Sequence, residues 1–420
     1  MSKSAVIETQ TAKISRLSKL YEKGVIRQLS RIQKGCIHLH TAGEVHELGD
    51  PQADLSVSLT VYDRRFFESI LQGGSVGAAE SYMQGDWHCS DLTALVRILV
   101  RNQSLTDELE QGFARITGAL LKGLHWLNRN SRRGSRKNIA AHYDLGNELF
   151  EVFLDKDWMM YSSGLYYSGT ESLEVAQQQK LARLCDKLDL QPTDHLLEIG
   201  TGWGGCAVFA AQHYGCKVTT TTISRQQYDY AVQRVEKAGL TEQVTVLLED
   251  YRDLQGQYNK LISIEMVEAV GHHYIDDYFQ RCADLLTPDG LAIIQAITLE
   301  DHRYAQAVKS VDFIKRYIFP GSFIPSVTVL SNAAAKAKLK LTSLEDIGPS
   351  YAITLATWRE RFAASLDKVR AMGYPESFIR MWEFYLCYCE GGFAERSISD
   401  VHLLFSKADN RRAQWCPAYA

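Results

Sequence analysis

Leu196-Leu197-Glu198-Ile199-Gly200-Thr201-Gly202-Trp203-Gly204-Gly205 decides how the rest of the chain is read. An apolar run that closes on an acid and breaks into Gly-x-Gly predicts a buried strand delivered to a helix N-terminus. In open α/β sheets that junction holds nucleotide-like cofactors. Glycine is needed there because a side chain would keep the backbone away from the ligand, and the turn asks for φ values that other residues avoid.

Two cofactors suit such a turn. Gly200-x-Gly202-x-x-Gly205 satisfies the dinucleotide pattern, which also wants an acid about 20 residues on, at the end of the second strand. The second strand reads Lys217-Val218-Thr219-Thr220-Thr221-Thr222-Ile223-Ser224 and holds no acid. Glu198 sits instead at the tip of the first strand, where S-adenosylmethionine enzymes commonly keep a carboxylate. The residues favour the methyl donor and leave a dinucleotide open.

Outward from this turn the chain alternates strand and helix. A helix is expected over 173–189, then strands near 194–199, 216–223, 244–248, 260–265 and 290–297 with helices at 203–213 and 226–238 between them. That rhythm predicts a mainly parallel sheet covered on both faces. Helices near 302–318 and 326–338 interrupt it as a prospective lid; two more at 351–372 and 375–390 precede a last strand at 400–406. Upstream, residues 35–62 alternate like a hairpin or meander and 66–82 and 92–102 look helical, which makes a small α+β module. The basic run Ser131-Arg132-Arg133-Gly134-Ser135-Arg136-Lys137 has linker composition, so the domains are set at 1–130 (linker to about 137) and 138–420.

Composition narrows the classes. The net charge of −4 gives no global pull toward nucleic acid. Residues 113–143 carry seven Lys or Arg and no acid, with Trp126 and leucines interleaved, and residues 3–34 carry eight basic side chains against Glu8 and Glu22. Such basic-apolar stretches suit an anionic membrane surface, and equally a solvated helix face or linker. No stretch is long and apolar enough to span a bilayer, and no secretory signal is visible at the start. Nine cysteines with no Cys-x-x-Cys pair fit a reducing cytosol.

Several clusters can carry chemistry. Glu249-Asp250-Tyr251 follows the third strand, where a carboxylate can accept from an adenine amino group and a ring can stack. Strand four ends Glu265-Met266-Val267-Glu268, two acids that share one face if the segment is helical. Adjacent His272 and His273 share no helix face, and no metal site is read there. Tyr143, Tyr161, Tyr317, Phe319 and Tyr351 supply rings for an apolar slot able to hold a transient cation.

His142-Tyr143-Asp144, Tyr161-Ser162, Glu198-Ile199-Gly200-x-Gly202-Trp203-Gly204-Gly205, Thr222-Ile223-Ser224-x-x-Gln227, Asp250-Tyr251-Arg252-Asp253, Glu268-x-Val270-Gly271 and Tyr317-Ile318-Phe319-Pro320-Gly321 occur in that order. The set resembles the cyclopropane fatty acid synthase family, which includes the mycolic acid methyltransferases, over about 137–406. Gly85-Asp86-Trp87 and Asp91-Leu92 resemble the accessory domain of its phospholipid-acting bacterial members. The resemblance implies a Rossmann-like class I methyltransferase sheet with helical lid insertions behind a small α+β domain. It implies methyl transfer from S-adenosylmethionine to a cis double bond of a phospholipid acyl chain, giving a carbocation that loses a proton. A cyclopropane is the first product expected, a methyl-branched or methylene chain the alternative, and a small-molecule N-methyltransferase a remoter one.

The family holds a bicarbonate as base with Cys, Glu, His and Tyr side chains and a backbone group. By that resemblance Glu268, Tyr351 and Ile297 occupy family positions, Ser163 stands for the usual Cys and Gln295 for the usual His. Gln295 and the Glu265-Met266-x-Glu268-Ala269-Val270-Gly271 wording resemble a sub-branch that includes plant synthases. Tyr161, Ser162, Glu198, Gly200, Gly202, Gly204, Thr222, Ser224, Gln227, Asp250 and Tyr251 are implied at the cofactor, and Tyr143 and Phe319 on the cation-facing wall. A phospholipid surface is the expected partner, at the inner face of the membrane; a homodimer is left open.

Overall fold

The computed structural model describes residues 16–105, 107 and 145–412. These fall into two compact units: residues up to 107 with Glu376–Phe384, and residues 145–375 with 385–412. The linker expected near 130–137, the basic stretch 113–143 and Tyr143 lie outside the described residues.

Among the described residues the first unit is built on four strands, β1 (Cys36–Thr41), β2 (Glu44–Gly49), β3 (Ser56–Val61) and β4 (Trp87–Cys89), in the order β2-β1-β3-β4. β1 and β2 form the expected hairpin, but β3 returns to run parallel to β1 rather than extending a meander. The side chains explain this. β2 carries Glu44 and Glu47 and is largely exposed, which suits an edge, whereas Val57, Leu59 and Val61 of β3 are buried. Helices Arg65–Gln84 and Leu92–Arg101 follow, the second capped by Asp91, whose carboxylate accepts from the Ala94 N–H at 2.8 Å. Glu376–Phe384 joins this unit through Arg380, whose guanidinium lies 3.9 Å from the Tyr82 ring centroid, and through Glu383, which accepts from the Tyr82 hydroxyl at 2.8 Å.

The second unit carries a seven-stranded sheet among the described residues. Its strands are β5 (His195–Ile199), β6 (Lys217–Thr222), β7 (Val244–Leu248), β8 (Tyr258–Ile264), β9 (Leu286–Leu299), β10 (Lys340–Asp346) and β11 (Ile398–Ser406), in the order β10-β11-β9-β8-β5-β6-β7. β7, β6, β5, β8 and β9 are parallel; β11 runs antiparallel to β9 and β10 antiparallel to β11. One face packs on Tyr278, Phe279, Leu330 and Ala333, the other on Leu181, Leu184, Phe209 and Val235. The strand order reverses at β5, whose neighbours are β6 and β8. A crevice therefore opens at its C-terminal end, where Gly200 begins the turn.

Strand β10 has no counterpart in the sequence reading. Its burial pattern never settles on one face, as befits an edge strand. The helix expected over 302–318 breaks into Asp301–Ala307 and a π-type turn at Ile314–Ile318. Buried Lys315 closes the gap by donating to the carbonyls of Ala307 (2.5 Å) and Ser310 (3.0 Å). The long helix expected over 351–372 begins earlier, at Gly348 with a proline in its first turn, and is interrupted at Ser365.

Candidate active site

The glycine turn has the geometry its sequence requires. Gly200, Gly202 and Gly204 have φ of +100°, +52° and +82°, values hostile to L side chains. Gly200 and Thr201 both donate through their N–H groups to the Thr221 carbonyl at 3.1 Å, and Gly204 leads into the helix Gly205–Tyr214. A Cβ at Gly202 would meet no protein atom within 4 Å, so the turn faces open space. Glu198 lies beneath, 2% exposed, accepting from the Thr220 hydroxyl at 2.6 Å. Burial pushes its carboxyl up to about 7.

The polar residues around the turn are already engaged within the protein. Ser224 caps the helix Arg225–Lys237 by accepting from the Gln227 N–H, and Thr222 hydrogen-bonds the Gln227 side chain at 3.0 Å. Asp250, after β7, is clasped by Arg252 at 2.6 and 2.8 Å, and the Tyr251 ring meets Tyr278 edge-on at 5.4 Å. The Ser162 hydroxyl accepts from Lys180 Nζ at 2.7 Å. Lys180 is fully buried; its pKa is lowered by burial and drawn back by Glu265, Cys206, Asp155 and Asp400.

Aromatic rings join this turn to a second cluster. Trp203 packs on Phe150 (4.9 Å), Phe150 on Tyr161 (5.2 Å), Tyr161 on Trp358 (5.3 Å) and Trp358 on Tyr351 (6.1 Å). Phe319 closes the wall, 6.3 Å from Tyr161 and 6.2 Å from Tyr385, whose hydroxyl hydrogen-bonds that of Tyr161 at 2.9 Å.

At the far end of that chain sit three acids. Glu265 follows β8 and its carboxylate takes three donors: the Ser163 N–H at 2.8 Å, Gln295 Nε2 at 2.8 Å and the Tyr351 hydroxyl at 2.6 Å. Gln295 also donates to Asp400 of β11 at 2.7 Å. Glu268 accepts from the Ile297 N–H at 2.6 Å, and its other oxygen is buried without a protein donor, as is one oxygen of Asp400. Burial raises all three; it carries Glu268 up to about 8, with the charge of Glu265 adding to it. Only Glu265 has both oxygens occupied by donors, and such bonds favour the ionised form. Glu265 also sits at φ +48°, a left-handed conformation that costs a non-glycine residue about 1 kcal/mol. Strain of that kind clusters at functional sites.

Residues 130–403 match the family described as mycolic acid cyclopropane synthetase. The tuberculostearic acid methyltransferase UfaA1 of Mycobacterium tuberculosis is 38% identical over 77% of this chain and 77% of its own length. The cyclopropane-fatty-acyl-phospholipid synthase of Escherichia coli is 37% identical over 86% of this chain and 89% of its own. This chain belongs to the mycolic acid cyclopropane synthetase family. A solved mycolic acid cyclopropane synthase, CmaA1 complexed with SAH and CTAB, superposes with a TM-score of 0.61 at 27% identity, over 65% of this chain and 98% of that one. The fold is thus the class I methyltransferase sheet, and the chain is an S-adenosylmethionine-dependent methyltransferase. The open cradle in front of Gly202 fits that cofactor.

The site residues read from the sequence sort differently. Ser163, Gln295 and Tyr351, which the resemblance sets with Glu268 and Ile297 around a bicarbonate, converge instead on Glu265; of these positions only Ile297 meets Glu268. Ser163 contributes its N–H, while its hydroxyl donates to the Gly164 carbonyl at 2.8 Å. The helical face supposed for Glu265 and Glu268 does not exist. Glu265 lies just past the end of β8 and only Val267–Ala269 forms a 3-10 turn. Bicarbonate, which the resemblance implies, does not fit these residues as they stand, because its would-be donors are occupied by protein carboxylates. Asp400, Lys180, Tyr385 and Trp358 are absent from the sequence reading. They lie far apart in the chain, and nothing local marks them.

Proposed function

We propose that the protein methylates the cis double bond of unsaturated acyl chains in phospholipids and that the product is a cyclopropane fatty acid. S-adenosylmethionine supplies the electrophilic methyl group. The glycines Gly200, Gly202 and Gly204 would admit it, with Tyr161, Ser162, Thr222, Ser224, Gln227, Asp250 and Tyr251 around it and Glu198 bracing the turn from below. Tyr161, Phe319 and Tyr385 would present π-faces that stabilise positive charge on the chain without offering a nucleophile, with Trp358 packed behind Tyr161.

The single observation that carries the reading is continuity. An open methyl-donor cradle, an aromatic wall and a buried carboxylate cluster are linked ring to ring inside one unit. The phospholipid specificity is supported by the 37% identical relative from Escherichia coli, named for that activity. Docking on an anionic membrane surface is supported by the basic-apolar composition of 113–143; among the described residues no helix is long and apolar enough to cross a bilayer. A second reading, a methyl-branched chain without a ring, is favoured by the 38% identical relative named tuberculostearic acid methyltransferase.

Lipid profiling of cells expressing the chain tests both. New acyl species one methylene heavier than their unsaturated precursors are expected, with high-field ring protons by NMR. Olefinic or branched-methyl signals alone would replace the first reading with the second, and no new species in cells rich in cis-unsaturated phospholipid would remove both.

A further inference from the structure

We propose that Glu265 is a built-in base, a protein carboxylate standing where the family resemblance implies a bound bicarbonate. The inference rests on the acyl-chain reading above.

The geometry is that of an anion site already filled by its own chain. One backbone N–H, one amide and one phenol from three separate segments converge on this single carboxylate at 2.6–2.8 Å. Each is a donor, and together they leave no oxygen of Glu265 bare. The other two acids each keep a buried oxygen with no protein donor, as expected of carboxyls that carry a proton. Glu265 is therefore the member of the trio ready to accept one. Its backbone is held at φ +48° and anchored by its N–H to the Gln295 carbonyl at 2.9 Å, so the side chain is aimed by the end of β8 rather than left to swing. The Tyr351 ring that donates to it is in edge contact with Trp358 of the aromatic wall.

The step balances without a further reactant. The alkene pair forms the new C–C bond to the methyl, and the S–CH3 bonding pair stays on sulfur. The resulting cation loses a proton to a Glu265 oxygen, and the C–H pair closes the ring. Protonated Glu265 returns the proton to solvent through the acids beside it, Asp400 sharing the Gln295 amide.

The test uses the full chain, vesicles of cis-unsaturated phosphatidylglycerol and S-adenosylmethionine, in buffer stripped of carbon dioxide and in the same buffer with bicarbonate added. Release of S-adenosylhomocysteine and lipid product are both followed. The wild type is expected to turn over equally in the two buffers. Glu265→Gly, which suits the left-handed backbone, is expected to fall by about 100-fold or more in stripped buffer and to recover with bicarbonate, because the vacated donors can then bind the anion. Glu265→Gln, which keeps the space filled, is expected to stay inactive in both. A wild type that stalls in stripped buffer and revives with bicarbonate overturns the proposal, whether or not either variant folds. So does a Glu265→Gln enzyme at wild-type rate. A wild type that releases no S-adenosylhomocysteine in either buffer counts against the acyl-chain reading instead.

Discussion

The glycine turn after β5 and the acid cluster beyond β8 are neighbours in one sheet, yet they are written into the chain in opposite ways. The turn is continuous: Leu196 to Gly205 holds the strand, the positive-φ glycines and the helix start in ten consecutive residues. The acid cluster is assembled from Ser163, Glu265, Glu268, Gln295, Tyr351 and Asp400, segments spread over more than half the chain. The first is made of backbone shape and open space. The second is made of side-chain protons in a dry setting, where one exchanged atom changes the charge.

Breaking the turn should have the largest effect. Gly202→Val puts a β-branched side chain at φ +52° and into the open cradle, so S-adenosylhomocysteine affinity should fall by about 100-fold or more, equal to about 2.7 kcal/mol, by calorimetry. Affinity within a few-fold of wild type would mean that the cofactor lies elsewhere.

Within the acid cluster, substitutions should grade by which atom they remove. Tyr351→Phe deletes one of three donors to Glu265 and should lower turnover by about tenfold, about 1.4 kcal/mol, with S-adenosylhomocysteine binding unchanged. Glu268→Gln should cost less. At neutral pH Glu268, pushed up to about 8, is mostly protonated, and the amide keeps an acceptor for Ile297. A loss at Glu268 greater than at Glu265 would reverse the assignment of the base. Ser163→Ala should change turnover least, since the N–H that reaches Glu265 remains.

The two regions also differ in what pH does to the fold. Glu198 under the turn has a folded-state pKa raised to about 7, so the folded protein holds that proton longer than the unfolded chain. Its contribution is greatest below the unfolded carboxyl value near 4.5 and is lost as pH rises through 7. Relative to wild type, Glu198→Gln should therefore gain stability between about pH 5 and pH 7, by up to about 3 kcal/mol in denaturant titrations. A constant difference across that range would show that Glu198 is not protonated in the fold.

The parallel strands β5 to β9 and the helices between them were legible because buried strands read as apolar runs and helices as periodic ones. Edge strand β10 was not, since an edge need not commit either face. Nor was the grouping of Glu376–Phe384 with the N-terminal unit, which depends on Arg380 and Glu383 meeting Tyr82 some 300 residues earlier. The site divides the same way. The turn glycines were legible from local wording, whereas Ser163, Gln295, Ile297 and Tyr351 were reached only as positions that the family resemblance implies. What they surround was not found, because the partner of Ser163, Gln295 and Tyr351 depends on a left-handed residue at the end of β8 that redirects Glu265 away from any helix face.

The division of labour between the two regions is tested most directly by measuring S-adenosylhomocysteine affinity and single-turnover rate on the same two variants. Gly202→Val should lose affinity, whereas Glu265→Gln should bind as the wild type does and fail to complete turnover. Parallel loss of binding and turnover in Glu265→Gln, or unimpaired turnover in that variant, would contradict the account.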